Sequence, residues 1–579
     1  MKKLQKTMSA CLAMALSVSG FAACGVQEVG VVEKDDVSYL YVNTRDDGFG
    51  VRWLKAIETE FEAAYANESF AEGKTGVDLV ISASANLTGG EYINNIASSN
   101  FNVSFVAGLY YFDYLAKDLL YDLTDVVKAE LPDGSGTIEN KLFDDQVETF
   151  SAVGGKYYSL PSFVSFPGVT YDAQLFEDNF LYFADEGGVM PVGNSSYTGT
   201  TYTGRGIDAT GAAKRSPGPD GKYDSYDDGL PSSYEEYFYL LDTMVEMSIT
   251  PFVWTGRSQH YTNMFFFSLL NSASTKEEFL SNFTFDSGEE TVDVITGFNG
   301  TEPNVDQVKI TADNGYLTTQ TASRYQALKF LEHFYNKKNK YYDSRCESSS
   351  LSNTQAQKVY EESSLDPLSQ DIAMMIEGTY WYDEAASELE ESIGKYGEEA
   401  RNRDLRYMPL PAIETGTVNE GEGKSIILSD SFYRYLCVNN NIKNDAEKVK
   451  LAETFVKFVY HDSSLQLITT TASNPWAVKY EITPSQYAGM DNYAQSVWDV
   501  YDFAKDNDTY VTPMSANSIF MDHTDKFTFS TTSKFCTSYV NGMEYSYPVT
   551  TFWDKKADAK SYFEGMKITQ DDWTKNYNK

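Results

Sequence analysis

The stretch YVNTRDDGFGVRWLKAIETEFE, residues 41–62, sets out a strand, a loop and a helix in that order, and the fold class follows from it. Ser38 to Asn43 is rich in aromatic and β-branched residues and reads as the strand. Thr44 to Gly50 is polar and punctuated by glycine, which marks the loop. From Val51 to Tyr65 the apolar residues Trp53, Leu54, Ile57, Phe61 and Ala64 recur at the spacing of one helix face. Further out, Val77 to Ser82 predicts a second strand, Ile93 to Ser99 a helix and Val103 to Ala107 a third strand. Strands that alternate with helices in this way pack as a parallel sheet covered on both faces. In such sheets, ligands sit in the loops beyond the carboxyl ends of the strands.

The loop Gly108-Leu109-Tyr110-Tyr111 leads into a helix expected to end in LLYDLTDVV. Residues 187–229 are rich in Gly, Ser, Thr and Pro, which marks a surface insertion rather than a linker between complete domains. Tyr234 to Met247 is helical, with Pro231 and Ser232 as start signals. Glu289 to Thr319 alternates short β-prone runs with turns, and Tyr325 to Tyr335 is helical again.

Apolar residues make up 42% of the chain, enough for a packed core. The net charge of −38 argues against nucleic-acid binding and against an anionic lipid surface, since both need clustered Lys and Arg. Cys346, Cys437 and Cys536 are far apart, and no CxxC or disulfide framework is present. His260, His333, His461 and His523 form no HExxH or HxH pair. With 43 Tyr, 35 Phe and 7 Trp, the chain has aromatic faces to spare for stacking on flat amphipathic ligands such as sugar rings. Lys2, Lys3 and Lys6 precede an apolar run, Ser9 to Ala23, that is too short to span a bilayer as an ordinary helix. No second run reaches spanning length.

The order of segments resembles the family 1 extracellular solute-binding proteins of ABC importers, the maltose-binding-protein-like group. Six collinear pieces carry the likeness: residues 41–62; VSFVAGLYYFDYLAKDLLYDLTD; GGKYYSLPSFVSFPGVTYDAQLF; IAMMIEGTYWYDEA; RYMPLPAI; and SIILSDSFYRYLCVNNN with the helix after it. Gly20-Phe21-Ala22-Ala23-Cys24 resembles a bacterial lipobox, with Phe21 where that pattern usually has Leu. An ordinary secretory signal cut nearby is the other reading. The resemblance implies an α/β, two-lobed periplasmic-binding-protein-like fold of type II with an interlobe ligand cleft. It implies a signal peptide over 1–23, lipidation at Cys24 and a tether over 24–36. Lobe 1 would hold 36–160 and return at about 430–490. Lobe 2 would hold 161–429, including the insertion 187–229, and 491–579. The protein would be monomeric and anchored by acyl chains on the extracellular face of the cytoplasmic membrane. It would capture an oligosaccharide and deliver it to a permease.

Sugar recognition needs aromatic faces and charged or polar groups for the hydroxyl rim. Asp46 and Asp47 follow the first strand, where the family places ligand contacts; a solvated turn at a helix start is the other reading. Tyr110 and Tyr111 match a family contact loop, with one of the two expected to pack inward. Tyr380 and Trp381 match the family's "GxW" aromatic. Trp254, Arg257 and Tyr261 are expected at a second-lobe rim, and Trp476 either faces the cleft or caps a helix. Ser165 and Phe166 fall at the expected hinge crossing.

Asp220, Asp224, Asp227 and Asp228 cluster in a Gly-punctuated loop, a set of oxygens suited to Ca²⁺ or, equally, a solvated acidic turn. No EF-hand spacing is present, and no cofactor is required by any motif. Two other functions stay open at this point. A secreted glycoside hydrolase needs only two well-placed carboxylates, and a glycan-binding surface protein needs no permease. No GxSxG, HExxH or P-loop signature argues for an enzyme.

Overall fold

The computed structural model describes residues 33–45, 48–83, 96–107, 111–411, 416–421, 427–429, 434–527 and 537–579. The leader, Cys24 and most of the tether lie outside these residues. The strands follow the chain as β1 (Ser38–Thr44), β2 (Val77–Ala83), β3 (Val103–Ala107), β4 (Ser159–Pro161), β5 (Pro167–Asp172) and β6 (Thr250–Val253). Then come the hairpin β7 (Val292–Asn299) and β8 (Glu302–Val308), and β9 (Ile372–Gly378) and β10 (Leu405–Met408). The last named here are β11 (Leu428–Ser429), β12 (Arg434–Val438) and β13 (Tyr510–Val511).

Two sheets organise two lobes. The first runs β2-β1-β3-β12-β4 and the second β10-β5-β9-β6. In the first, β1 pairs in parallel with β2 and β3, while β12 runs antiparallel to both β3 and β4. In the second, β5 is antiparallel to β9 and β10, and β6 is parallel to β9. The sheets are therefore mixed, not all-parallel as the early strand–helix alternation suggests. The reason is topological. β12 and β5 each enter their sheet directly from the other lobe, so no helical crossover forces them parallel.

Helix Arg52–Ala64 buries Trp53, Leu54, Ile57 and Phe61, the face read from the sequence, while Ala64 is exposed. Helices Ala446–Val459 and Asp462–Ala472 cover it on the first lobe. On the second lobe, helix His260–Ala273 covers β5 and β9, and helix Asn492–Asp506 covers β10. The helix expected to end in LLYDLTDVV is two pieces, Tyr111–Ala116 and Thr124–Lys128. Asp118 between them has φ of 54°, a left-handed turn that an α-helix cannot pass through. Of the helix expected at Ile93 to Ser99, residues 96–98 are helical and 93–95 lie outside the described residues. The β excursion is the β7–β8 hairpin, followed by a 3₁₀ helix over Ala312–Gln320.

The insertion 187–229 contains no helix or ladder among its described residues, only isolated bridges. It is pinned by the first turn of helix Tyr234–Glu246. Glu235 accepts from the Thr203 N–H and hydroxyl, and Glu236 accepts from the Arg205 and Ser232 N–H groups. That helix starts at Tyr234 as expected, and Ser233 caps it, its hydroxyl accepting the Glu236 N–H.

The chain passes between the lobes three times. The first passage joins β4 to β5, the second β10 to β12, and the third the helices Asp462–Ala472 and Asn492–Asp506. The first and third lie side by side. The Val164 N–H donates to Pro475 and the Ala477 N–H to Ser162, at 3.1 and 2.6 Å. One hydrophobic cluster runs through both lobes and the passages between them. Among the described residues no helix is long and apolar enough to cross a membrane.

Candidate ligand-binding cleft

The sheet order decides which side chains meet. β1 and β3 are parallel, so their carboxyl ends lie at one edge of the first sheet. β12 is antiparallel, so its first residue lies at that same edge, with Arg434 opposite Ala107 of β3. Arg45 follows β1 and Arg434 begins β12, so both are delivered to the seam that the second lobe faces.

Aromatic rings fill the seam. Phe49 stacks on Phe163 of the first passage, with centroids 4.5 Å apart and planes 10° apart. Beneath them, Trp53, Phe105 and Trp476 close an aromatic knot at 4.8–6.0 Å. From the second lobe Tyr380 reaches across, 6.0 Å from Phe49. Its ring lies between Gly48 of the first lobe and Gly378 of its own, and a Cβ added at either glycine would overlap it. Tyr261 meets the Tyr380 hydroxyl, and burial pushes that hydroxyl far above the ordinary phenol range. Arg52 forms an ion pair with Asp383 across the same seam. Burial, opposed by Arg52, raises the Asp383 carboxyl to about 6. Two small cavities of about 20 and 10 Å³ lie here, and Arg434 lines both. They have room for a water molecule and not for a sugar ring.

The residues singled out in the sequence fall into three groups. Tyr380 and Tyr261 meet at the seam. Asp46, Asp47 and Tyr110 lie outside the described residues. The rest lie elsewhere. Trp254 is not at a rim: it follows β6 and packs inside the second lobe against Tyr342 and Tyr335, at 4.8 and 5.6 Å. A large ring just after a buried strand finds its apolar partners within its own lobe. Arg257 is exposed, and its Nε donates to the Ser349 carbonyl rather than joining Tyr261. Tyr111 is the inward-packed member of its pair, fully buried against Phe150 and Tyr435. Trp381 is buried among Tyr360, Tyr382 and Tyr493, and Trp476 belongs to the knot beneath the seam. Phe166 meets Tyr407 edge to face at 5.1 Å, leaving Phe163 as the passage residue in the seam.

The acidic loop is built inward. Asp227 is fully buried and Asp220 nearly so, whereas Asp224 is exposed. Asp227 accepts from the Asp220 N–H and the Ser225 hydroxyl, at 2.9 and 2.8 Å. Burial first, then the Asp220 carboxylate, push the Asp227 carboxyl well above its ordinary range. The arginines nearest in sequence are engaged elsewhere, Arg205 with Asp185 and Arg215 with Glu177.

No family model matches this chain, and no curated protein matches it in sequence. Solved structures do align with it. A chitin oligosaccharide binding protein does so at 14% identity and a TM-score of 0.49, covering 93% of this chain and 99% of that one. Maltose-bound MalE3 of T. maritima aligns at 12% identity and 0.48, over 93% and 99%. The maltotriose-bound maltotriose binding protein of Thermus thermophilus aligns at 13% and 0.46, again over 93% and 99%.

Proposed function

We propose that the protein is a solute-binding protein that captures a carbohydrate between its lobes and hands it to an ABC permease. One observation carries this reading: two separately organised α/β sheets, joined by three passages, face each other across an aromatic seam at the carboxyl ends of β1 and β3. Aromatic faces stack on the C–H surfaces of sugars, and the flanking arginines supply donors to the rim. A ligand that binds the closed state better than the open one shifts the population toward closure. Anchoring through acyl chains on Cys24 would hold the protein beside the membrane.

The test is a thermal-shift screen of the leaderless protein against oligosaccharides, with each sugar assayed for cleavage. A native-state ligand raises the melting temperature saturably. Tyr380→Ala is expected to weaken binding at least tenfold, about 1.4 kcal/mol. A cleaved sugar moves the protein to the hydrolases, and no shift with any sugar removes the carbohydrate reading.

Ca²⁺ at the acidic loop belongs to the same proposal. Two buried carboxylates held together store repulsion that a divalent cation relieves. Asp227 sits above its unfolded-state pKa, so its contribution to stability is present in acid and lost as pH rises. Millimolar Ca²⁺ at pH 7.5 is therefore expected to raise the melting temperature by several degrees. Asp227→Asn should abolish that rise and leave the metal-free protein as stable as its parent or more so. A melting temperature indifferent to Ca²⁺ would mark the loop as a turn alone.

A further inference from the structure

We infer that a cavity beside the seam, between the helices Tyr111–Ala116 and Ser518–Asp522, seats a sugar ring that bears an N-acetyl group. This rests on the reading of the protein as a carbohydrate binder, and it adds a place for a ring that the seam itself does not supply.

The cavity measures about 350 Å³, within the range of small-molecule sites, which begins near 300 Å³. One wall is the helix Tyr111–Ala116, which starts soon after β3 ends at Ala107, at the sheet edge where ligands of such folds sit. The facing wall is the helix Ser518–Asp522 and the turn after it. That helix is held to the end of the second-lobe helix Lys276–Thr284. Phe520 meets Phe283 at 5.9 Å, and the Asn517 Nδ2 donates to the Thr284 carbonyl at 2.9 Å. The cavity therefore has a wall from each side of the seam. Tyr111 packs on Phe112 of this cavity and on Phe150 and Tyr435 of the second seam cavity. The two spaces thus stand one ring apart.

The lining is divided by chemistry. Phe112, Leu115, Val153 and Met521 give an apolar side, half-buried except for Val153, which is 44% exposed. Asp113 and Asp522 give a carboxylate from each wall. An ionised carboxylate only accepts, so the ligand groups that meet it must donate. A hydroxyl does so, but a hydroxyl turned to the apolar side loses water without gaining a partner. An acetamido group suits both sides at once. Its N–H donates to a carboxylate and its methyl covers the aliphatic side chains, while the C–H face of the ring lies on Phe112. A carboxylated sugar would meet like charge at Asp113 and Asp522.

The experiment compares, by calorimetry and thermal shift, trisaccharides of one backbone that carry an acetamide, a free amine or a hydroxyl at C2: triacetylchitotriose, its deacetylated form and cellotriose, with maltotriose beside them. Triacetylchitotriose is expected to bind roughly tenfold tighter than cellotriose, the worth of a methyl group in an apolar pocket. Val153→Asp should remove that preference, and Asp522→Ala should weaken triacetylchitotriose by roughly tenfold. Both positions are exposed, so both variants should keep the parental melting temperature without ligand. That temperature reports folding, and either variant decides if the other is unfolded. The inference is overturned, and the sugar-binding reading left standing, by any of four results: a hydroxyl sugar binding as tightly as triacetylchitotriose, the amine form binding tightest, the folded variants binding like the parent, or binding confined to sugars outside this set. No binding by these four or by any other oligosaccharide screened overturns both.

Discussion

Arg403→Met is expected to destabilise the protein by about 3–5 kcal/mol, the range for breaking one side of a buried ion pair. Arg403 lies just before β10 with its side chain 6% exposed. Its Nη2 donates to Asp172 at 2.5 Å, and its Nη1 donates to the Tyr360 carbonyl at 3.1 Å and stands 3.7 Å from the Glu361 carboxylate. Methionine fills much of the space but strands two buried carboxylates. The pH dependence identifies the mechanism. Burial pushes the Glu361 carboxyl up to about 7, and Arg403 pulls it down. A carboxyl raised in the folded state contributes stability that is fully present below its unfolded pKa of about 4.5 and lost as pH rises through the folded value. Without Arg403 the folded value climbs further. The deficit should therefore be largest near pH 8 and shrink toward pH 5, and Glu361→Gln added to Arg403→Met should restore part of it. Urea unfolding at both pH values measures this. A deficit below about 1 kcal/mol at pH 8 would mean that solvent reaches the pair.

Trp476→Ala is expected to cost about 3–5 kcal/mol, as for a fully buried aromatic whose cavity cannot collapse. Its ring meets Phe163 at 4.8 Å, Trp53 at 5.4 Å and Phe105 at 6.0 Å, so the cavity would open beneath both the first lobe's helix and the first passage. Trp476 supports Phe163 rather than facing the seam cavities, so a smaller ring should serve partly. Trp476→Phe is expected to lose less than half as much stability and to keep sugar binding within a few-fold. Parallel unfolding and calorimetry distinguish the roles. An alanine variant of near-parental stability that no longer binds would make Trp476 a ligand contact.

Residues 41–62 were readable because one helix face and one short strand obey local periodicity, and the structure keeps both to within a residue or two. The antiparallel β12 was not, since RYLCV looks the same in either direction and only its partners set its sense. The seam shows the same division. Tyr380 stood out by its place after Glu377-Gly378-Thr379 and does lie in the seam. Phe49, a lone aromatic between two glycines, gave a signal that went unused: a large apolar ring in a polar loop needs a partner, and Phe163 provides it. Arg434 had only the hint of a charge opening an apolar strand. Trp254 misled because an aromatic at a strand end reads equally as rim or as core, and packing across the lobe decides. Asp227 could not be told from a solvated turn by composition, because its burial comes from the surrounding insertion.

The late arrival of β12 bears on how the chain is made. The second sheet draws all four of its strands from residues 167–408, an unbroken stretch that can pair as soon as it has been synthesised. The first sheet cannot. Its β3 and β4 are joined only through β12, so the strand that unites them is supplied after three quarters of the chain. Until then the N-terminal half holds open strand edges on β3 and β4, the kind of surface on which unfinished chains associate. The part made first is thus completed last. A nascent chain halted before residue 434 would carry a whole second sheet beside a divided first one, which makes it a natural client for chaperones until synthesis ends.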